Sequence, residues 1–281
     1  MRRLNLYALT FRLPIIVWQA LFFIGPLIFV VAMSFFVVKN YRMVETFELE
    51  SWAKMVSRDY VWSAYRYTIL MAGGAAALAT LLAFPAAWFL AFRCSARTRQ
   101  AAILLLIIPF FTSYLVRTFS WYTLLAEAGV LNGALGVLGL GPYKLLNTAI
   151  GTLTGYLTLV LPLVVILQTV TMANIDARLI QAARNLGCSP ARTIWTVILP
   201  AGKTGFVIAA LFAFILCFGD FVAPFYLGGS NPPTLPILII DTTKAGQQWP
   251  RAAVVAVMMM LTLFTIAFAA IMFAYRKRAS R

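Results

Sequence analysis

Six runs of about 20 or more apolar residues, at 14–38, 64–92, 101–125, 148–170, 204–227 and 252–275, are each long enough to cross the hydrocarbon core of a bilayer. Inside such a run the backbone finds no water, so a helix that satisfies its own N–H and C=O groups is the available solution. The expected fold class is therefore all-α, a polytopic membrane protein with six transmembrane helices in one transmembrane domain, 1–281. Composition agrees, with 62% hydrophobic and 11% charged residues, where soluble domains carry about 45–50% and about 25%. The first run has no small-residue cleavage site after it, so it reads as a retained first helix rather than a signal peptide.

Charge sets the orientation. A net charge of +15 would suggest nucleic acid in a soluble chain, but Lys and Arg collect on the cytoplasmic side of membrane spans, and no nucleic-acid partner is expected. With six spans both termini share a side. Arg2, Arg3, Arg12, Arg93, Arg97, Arg99, Arg178, Arg184, Arg192, Lys203, Arg276, Lys277, Arg278 and Arg281 fall there, 14 of the 23 cations, with Asp176 the one acid. The other side holds eight cations and six acids, from Glu45 to Asp241. Both termini and the 93–100 and 171–203 loops are thus expected in the cytoplasm.

The chain has no histidine, which removes His-based metal sites and Ser-His-Asp triads; no catalytic residue and no metal ligand is expected. Cys94, Cys188 and Cys217 lack CxxC spacing and read as unpaired thiols or small core residues. The stretch "AGKTG" at 201–205 ends like a phosphate-binding loop, but the full pattern needs Gly at 197, where Val stands. Lys203 is better read as an anchor at the membrane boundary, so this chain binds no cofactor and any ATP lies elsewhere.

The outer loops differ in texture. Residues 39–63 mix both charge signs with Trp52, Tyr60 and Trp62, as a short structured segment at the interface would. Residues 126–147 are Gly-rich, suited to turns and a short re-entrant or surface helix, and 228–251 contain the turn cluster "GGSNPPTLP". Pro85, Pro109, Pro162 and Pro224 read either as packing kinks or as hinges of a gate.

One polar stretch interrupts the oil: "IDARLIQAARNLGCSPARTIWTVILP", 175–200. Asn174 or Asp176 can cap a helix there, with Leu179, Ala183 and Leu186 on one stripe and Ile180 beside it. Gly187 stands where a left-handed C-terminal cap falls. Ser189-Pro190 then reads as an N-cap with proline at the first helical position, opening a second short helix that runs to Pro200. Such a pair either links two spans along the surface or docks in a groove of a cytoplasmic partner.

The segment "QAARNLGCSPARTIWTVILP" resembles the EAA loop of type I ABC importer permeases, with Ala182, Ala183, Gly187, Ile198, Leu199 and Pro200 on the family's pattern and Gln181 where a Glu is usual. The resemblance implies coupling helices, 174–200, in which Gln181, Ala182, Ala183, Gly187, Leu199 and Pro200 meet the ATPase. "IPFFTSYLVRTFSWYTLL" (108–125) and "FGDFVAPFYLGG" (218–229) are similar to the spermidine/putrescine branch. That branch implies a bacterial inner-membrane, multi-pass permease subunit. Its implied partners are an ABC ATPase dimer holding ATP and Mg²⁺, a second permease subunit of related sequence, and a periplasmic substrate-binding protein, all in membrane lipid.

Arg117 and Asp220 are the clear intramembrane charges, and such residues usually face a bundle interior or an aqueous path. Counted along straight spans, each lies 16 residues in, roughly 24 Å at 1.5 Å per residue, so they read as an ion pair or as lining of the path. Phe110, Tyr114, Arg117 and Trp121 recur on one face, and Phe221 neighbours Asp220; ring faces can hold ammonium groups or simply pack. The implied function is ATP-driven import of a small organic cation, such as a polyamine, by alternating access. The competing readings are the same architecture carrying an opine, aminophosphonate or other small solute, and an ATP-independent channel or secondary transporter.

Overall fold

A backbone that lipid cannot solvate bonds to itself, and helix dominates the described residues. The computed structural model describes residues 6–39 and 42–276, with side chains from Leu13 onward. Arg2, Arg3, Lys277, Arg278 and Arg281 lie outside the described residues, as does the side chain of Arg12.

In chain order the elements begin with α1 (Leu6–Gln19), a π-helical turn (Ala20–Ile24), α2 (Gly25–Met33) and the hairpin strands β1 (Val37–Lys39) and β2 (Arg42–Val44). Next come α3 (Glu50–Val56), α4 (Asp59–Phe92), α5 (Ala96–Ile107), a 3-10 turn (Ile108–Phe111), α6 (Tyr114–Leu125), α7 (Val130–Val137) and α8 (Ala149–Ala173). Then follow α9 (Ala177–Asn185), α10 (Pro190–Thr193), a second π turn (Ile194–Ile198), α11 (Leu199–Ala201), α12 (Lys203–Gly219), α13 (Val222–Tyr226), α14 (Leu235–Lys244) and α15 (Trp249–Tyr275).

Among the described residues, four helices are long and apolar enough to cross a membrane: Leu13–Met33, Asp59–Phe92, Ala149–Ala173 and Trp249–Tyr275. Two bent pairs, Ala96–Phe111 with Tyr114–Val137 at 87° and Pro190–Ala201 with Lys203–Gly219 at 77°, raise the number to six if each is one span. Pro85 and Pro162 sit inside unbroken α4 and α8, whereas Pro109 opens the 3-10 turn at the first bend. Both π turns precede a proline by one residue, at Gly25-Pro26 and Leu199-Pro200. Proline returns no N–H and crowds the carbonyl four residues back, and a widened turn ahead of it accommodates both.

The fold divides into two units, Met1–Trp62 with Leu238–Thr262, and Ser63–Ile237 with Leu263–Arg281. In the first, the expected helix to residue 38 stops at Met33, and β-branched Val37 and Val38 enter the hairpin in register with Val44 and Met43. Buried Ser51 donates to the Phe36 carbonyl at 2.9 Å, and Trp52 Nε1 donates to Ser34 Oγ at 3.1 Å. In α3, Lys54 pairs with Glu50 and holds its carboxyl below the usual range.

The second unit is built around α8. Tyr156, Val160, Val164, Gln168 and Met172 recur every fourth residue and are fully buried. Along α4 the small residues Ala72, Ala75, Ala76, Ala79, Ala83 and Ala87 are all at most 5% exposed, and Ala87 packs with Met172 of α8. In lipid, helices associate by close van der Waals approach, and small residues permit it. Gln168 Nε2 donates to the Thr80 carbonyl of α4 at 3.0 Å, while α12 lies so close to α8 that any Cβ at Gly205 would collide with Thr171. At Gly155 a Cβ would stand 2.5 Å from that of Ala223 on α13.

Candidate transport path and coupling site

Helix breaks present polar groups inside a bundle, and both intramembrane charges sit at breaks. The first expected span-three helix is interrupted at Thr112–Ser113, and α6 restarts with Tyr114 in its first turn. The expected 204–227 helix likewise ends at Gly219. Asp220 adopts extended backbone (φ −78°, ψ 131°), and its carboxylate accepts from the Val222 and Ala223 N–H groups at 3.0 and 3.1 Å. Residue counting along straight helices therefore does not give the depth of either charge.

Arg117 and Asp220 do not form an ion pair. Tyr114 stands between them: its hydroxyl donates to Asp220 Oδ2 at 2.8 Å, and the Arg117 guanidinium lies over its ring, 5.8 Å from the centroid. Arg117 donates from Nη1 to the Thr158 carbonyl at 3.2 Å, while its buried Nε has no partner. The fully buried Tyr156 also keeps an unpartnered hydroxyl. This residue was not anticipated from the sequence, although the four-residue recurrence along α8 carries the signal for it.

Of the aromatic candidates, Phe110 and Phe221 are exposed at 44% and 43%, and Trp121 is half-buried. A ring contact not read from the sequence, Phe119 to Tyr226 with centroids 4.9 Å apart, ties α6 to α13, and Phe225 meets Tyr226 edge-on at 5.0 Å. A carboxylate held by a phenol and two N–H groups, with aromatic faces nearby, is suited to receive an ammonium group.

The polar loop follows its local chemistry closely. Asp176 accepts from the Arg178 N–H at 2.9 Å. Gly187 has φ +76°, and the Cys188 N–H reaches back to the Ala183 carbonyl at 3.0 Å, the longer bond of a Schellman cap. Ser189 caps Arg192 N–H at 3.3 Å, with Pro190 at the first helical position. The helical path continues through Pro200 to Ala201 by way of the π turn.

Of the stripe Leu179, Ala183 and Leu186, only Ala183 is buried. Leu179 and Leu186 are 51% and 84% exposed. Instead Ile180, Ile194, Ile198 and Leu199 pack against Ala87, Trp88, Met172 and Phe206 at the ends of α4, α8 and α12. Ile180 and Ala183 turn inward, and the second short helix with its π turn packs against α9. Outward face Leu179, Leu186 and Trp195 (73% exposed), with Gln181, Ala182, Gly187 and Pro200 exposed, Ala183 buried and Leu199 half-buried. Gln181 makes no side-chain hydrogen bond among the described residues.

Lys203 lies 4.0 Å from the Phe273 ring centroid. Helix rather than strand precedes Gly202, so "GKT" lacks the context of a phosphate-binding loop.

The helices are apolar and of spanning length, broken beside two half-buried charges, and joined by a capped pair of short helices. The chain belongs to the family described as the binding-protein-dependent transport system inner membrane component, which matches residues 79–281. It is the permease subunit of an ABC importer in the inner membrane. It is 26% identical over 279 residues to the inner membrane ABC transporter permease protein YdcU of Escherichia coli, covering 94% of this chain and 86% of that one. To the spermidine/putrescine transport system permease protein PotB of Haemophilus influenzae it is 26% identical over 246 residues, covering 85% and 84%. A bacterial ABC transporter involved in import of the acidic polysaccharide alginate shares the fold at TM-score 0.73 and 16% identity, covering 96% of this chain and 94% of that one.

Proposed function

We propose that this permease moves a small organic cation, a polyamine such as spermidine or putrescine, from a periplasmic binding protein into the cytoplasm by alternating access. The observation that carries the reading is the Asp220 carboxylate, held at a helix break by Tyr114 and two backbone N–H groups. The likeness to PotB along most of the chain supports it. Phe110, Tyr114, Trp121 and Phe221 supply ring faces along the same path, and a weak site there suits a permease that must release its cargo.

ATP and Mg²⁺ belong to a separate ABC ATPase dimer, which meets Gln181, Ala182, Gly187 and Pro200 directly, with Ala183 and Leu199 seating the loop from beneath. The loop 174–200 and both termini face the cytoplasm, following the Lys and Arg excess. A second, related permease subunit completes the path; the α1–α2 span, with none of its most apolar window buried, leaves apolar surface for that subunit or lipid.

A second reading has its own observation. The buried, unpartnered Nε of Arg117 would suit a cargo carrying an anionic group beside its amine, such as an opine or aminophosphonate. Uptake of labelled putrescine into cells bearing the whole transporter discriminates. Unlabelled spermidine is expected to compete at equal concentration and aminophosphonate or opine to leave uptake unchanged; the reverse order would overturn the polyamine reading in favour of the second.

A further inference from the structure

The cleft beneath the loop shares no lining residue with the transport path proposed above. It encloses about 450 Å³ between the last turns of α4 and the helix pair, and Trp88, Phe92, Arg93, Ile180, Arg184 and Ile198 line it. No carboxylate stands among its lining residues. Neither Arg93 nor Arg184 has an acid within ion-pair distance among the described residues, where the ion pairs join Lys39 to Glu48 and Lys54 to Glu50. The Arg93 guanidinium is 5.6 Å from the Trp88 ring centroid, which orients it along the cleft wall.

We infer that this cleft binds the phosphate of an anionic phospholipid headgroup. Two planar guanidinium groups offer forked donors to phosphate oxygens, and basic pockets at the membrane boundary recognise such headgroups. Trp88, Phe92, Ile180 and Ile198 make an apolar wall beside the two guanidiniums. Trp88 and Phe92 stand in the last turns of a helix long enough to cross a membrane, where aromatic side chains gather at the interface. A glycerol backbone and its first methylenes match that wall, whereas a free phosphate would leave it wetted and unused. The bound lipid would wedge the helix pair against α4, coupling lipid composition to the seating of the loop. The inference rests on the loop's position at a membrane boundary, not on which side of the membrane is cytoplasmic.

The test is native mass spectrometry of the full chain in mild detergent, titrated with phosphatidylglycerol and, separately, with phosphatidylethanolamine. Phosphatidylglycerol is expected to stay bound, and the Arg93→Gln/Arg184→Gln pair to weaken its binding about tenfold, leaving phosphatidylethanolamine unchanged. Arg97→Gln/Arg178→Gln removes equal charge outside the cleft and is expected to change little. Should the glutamine pair misfold, Arg93→Lys/Arg184→Lys retains charge, and its phosphatidylglycerol binding is expected to fall only partly. Equal losses from both glutamine pairs, or no loss from the cleft pair, would overturn the site. So would displacement of the lipid by millimolar inorganic phosphate, which would assign the cleft to a soluble anion. Unchanged lipid binding with loss of ATPase capture would assign the arginines to a protein contact.

Discussion

Asp220→Asn is expected to reduce polyamine uptake about ten- to a hundredfold while the bundle stays folded. A charge-assisted hydrogen bond to an ammonium group is worth about 1.5–3 kcal/mol, and each 1.4 kcal/mol is about tenfold. Asparagine keeps one oxygen to accept from the Val222 or Ala223 N–H and a donor that Tyr114 can meet, so the turn at the break persists. The check is labelled putrescine uptake against the amount of protein in the membrane. Tyr114→Phe is expected to give a smaller loss, since it frees the carboxylate without discharging it. If Asp220→Asn transports normally and only Asp220→Ala lowers the membrane level, Asp220 serves as a helix cap and not as part of the path.

The second large effect is expected at Gly187. Its φ of +76° is a conformation that costs a residue with a Cβ about 1–2 kcal/mol, but no atom stands within 4 Å of a Cβ built there. Gly187→Ala therefore adds strain alone, whereas Gly187→Trp adds strain and a large ring on the exposed face beside Leu186. Uptake is expected to fall at least tenfold in the tryptophan variant and only slightly in the alanine variant, with both inserted at normal levels. Full uptake by Gly187→Trp would mean that the loop seats against nothing.

The caps of the helix pair were legible because capping is local: Asp176, Gly187 and Ser189 each act within three or four residues. The apolar spans were legible because transfer into lipid is nearly additive along a run. What hydropathy cannot report is where a run bends. An apolar residue contributes the same whether its helix is straight or broken, so hydropathy did not show the breaks at Thr112–Ser113 and Asp220. Pro109 marked a candidate kink near the first, but four prolines did not say which would break, and a depth match between Arg117 and Asp220 followed from helices that are not straight. Tyr114 was read as a ring face beside Arg117, but its contact with both charges depends on a bend. The stripe Leu179, Ala183 and Leu186 did not reveal which of its residues would be covered, because a nine-residue helix offers two plausible apolar faces. Which face is covered depends on the partner helix folding over Ile180 and Ala183, a tertiary decision. The hairpin at 37–44 was lost for a similar reason, since Val37 and Val38 score as membrane text while their β-branching favours a strand once α2 has ended.

The most direct measurement places a photoreactive crosslinker at Gln181, exposed on the helix pair, in cells carrying the intact transporter. The expected product joins this chain to an ATP-binding subunit, disappears in the Gly187→Trp variant, and accompanies uptake that stops when ATP is depleted. Uptake that survives ATP depletion, with no ATP-binding protein captured from Gln181, would contradict coupling through this loop and leave the chain a channel or secondary transporter.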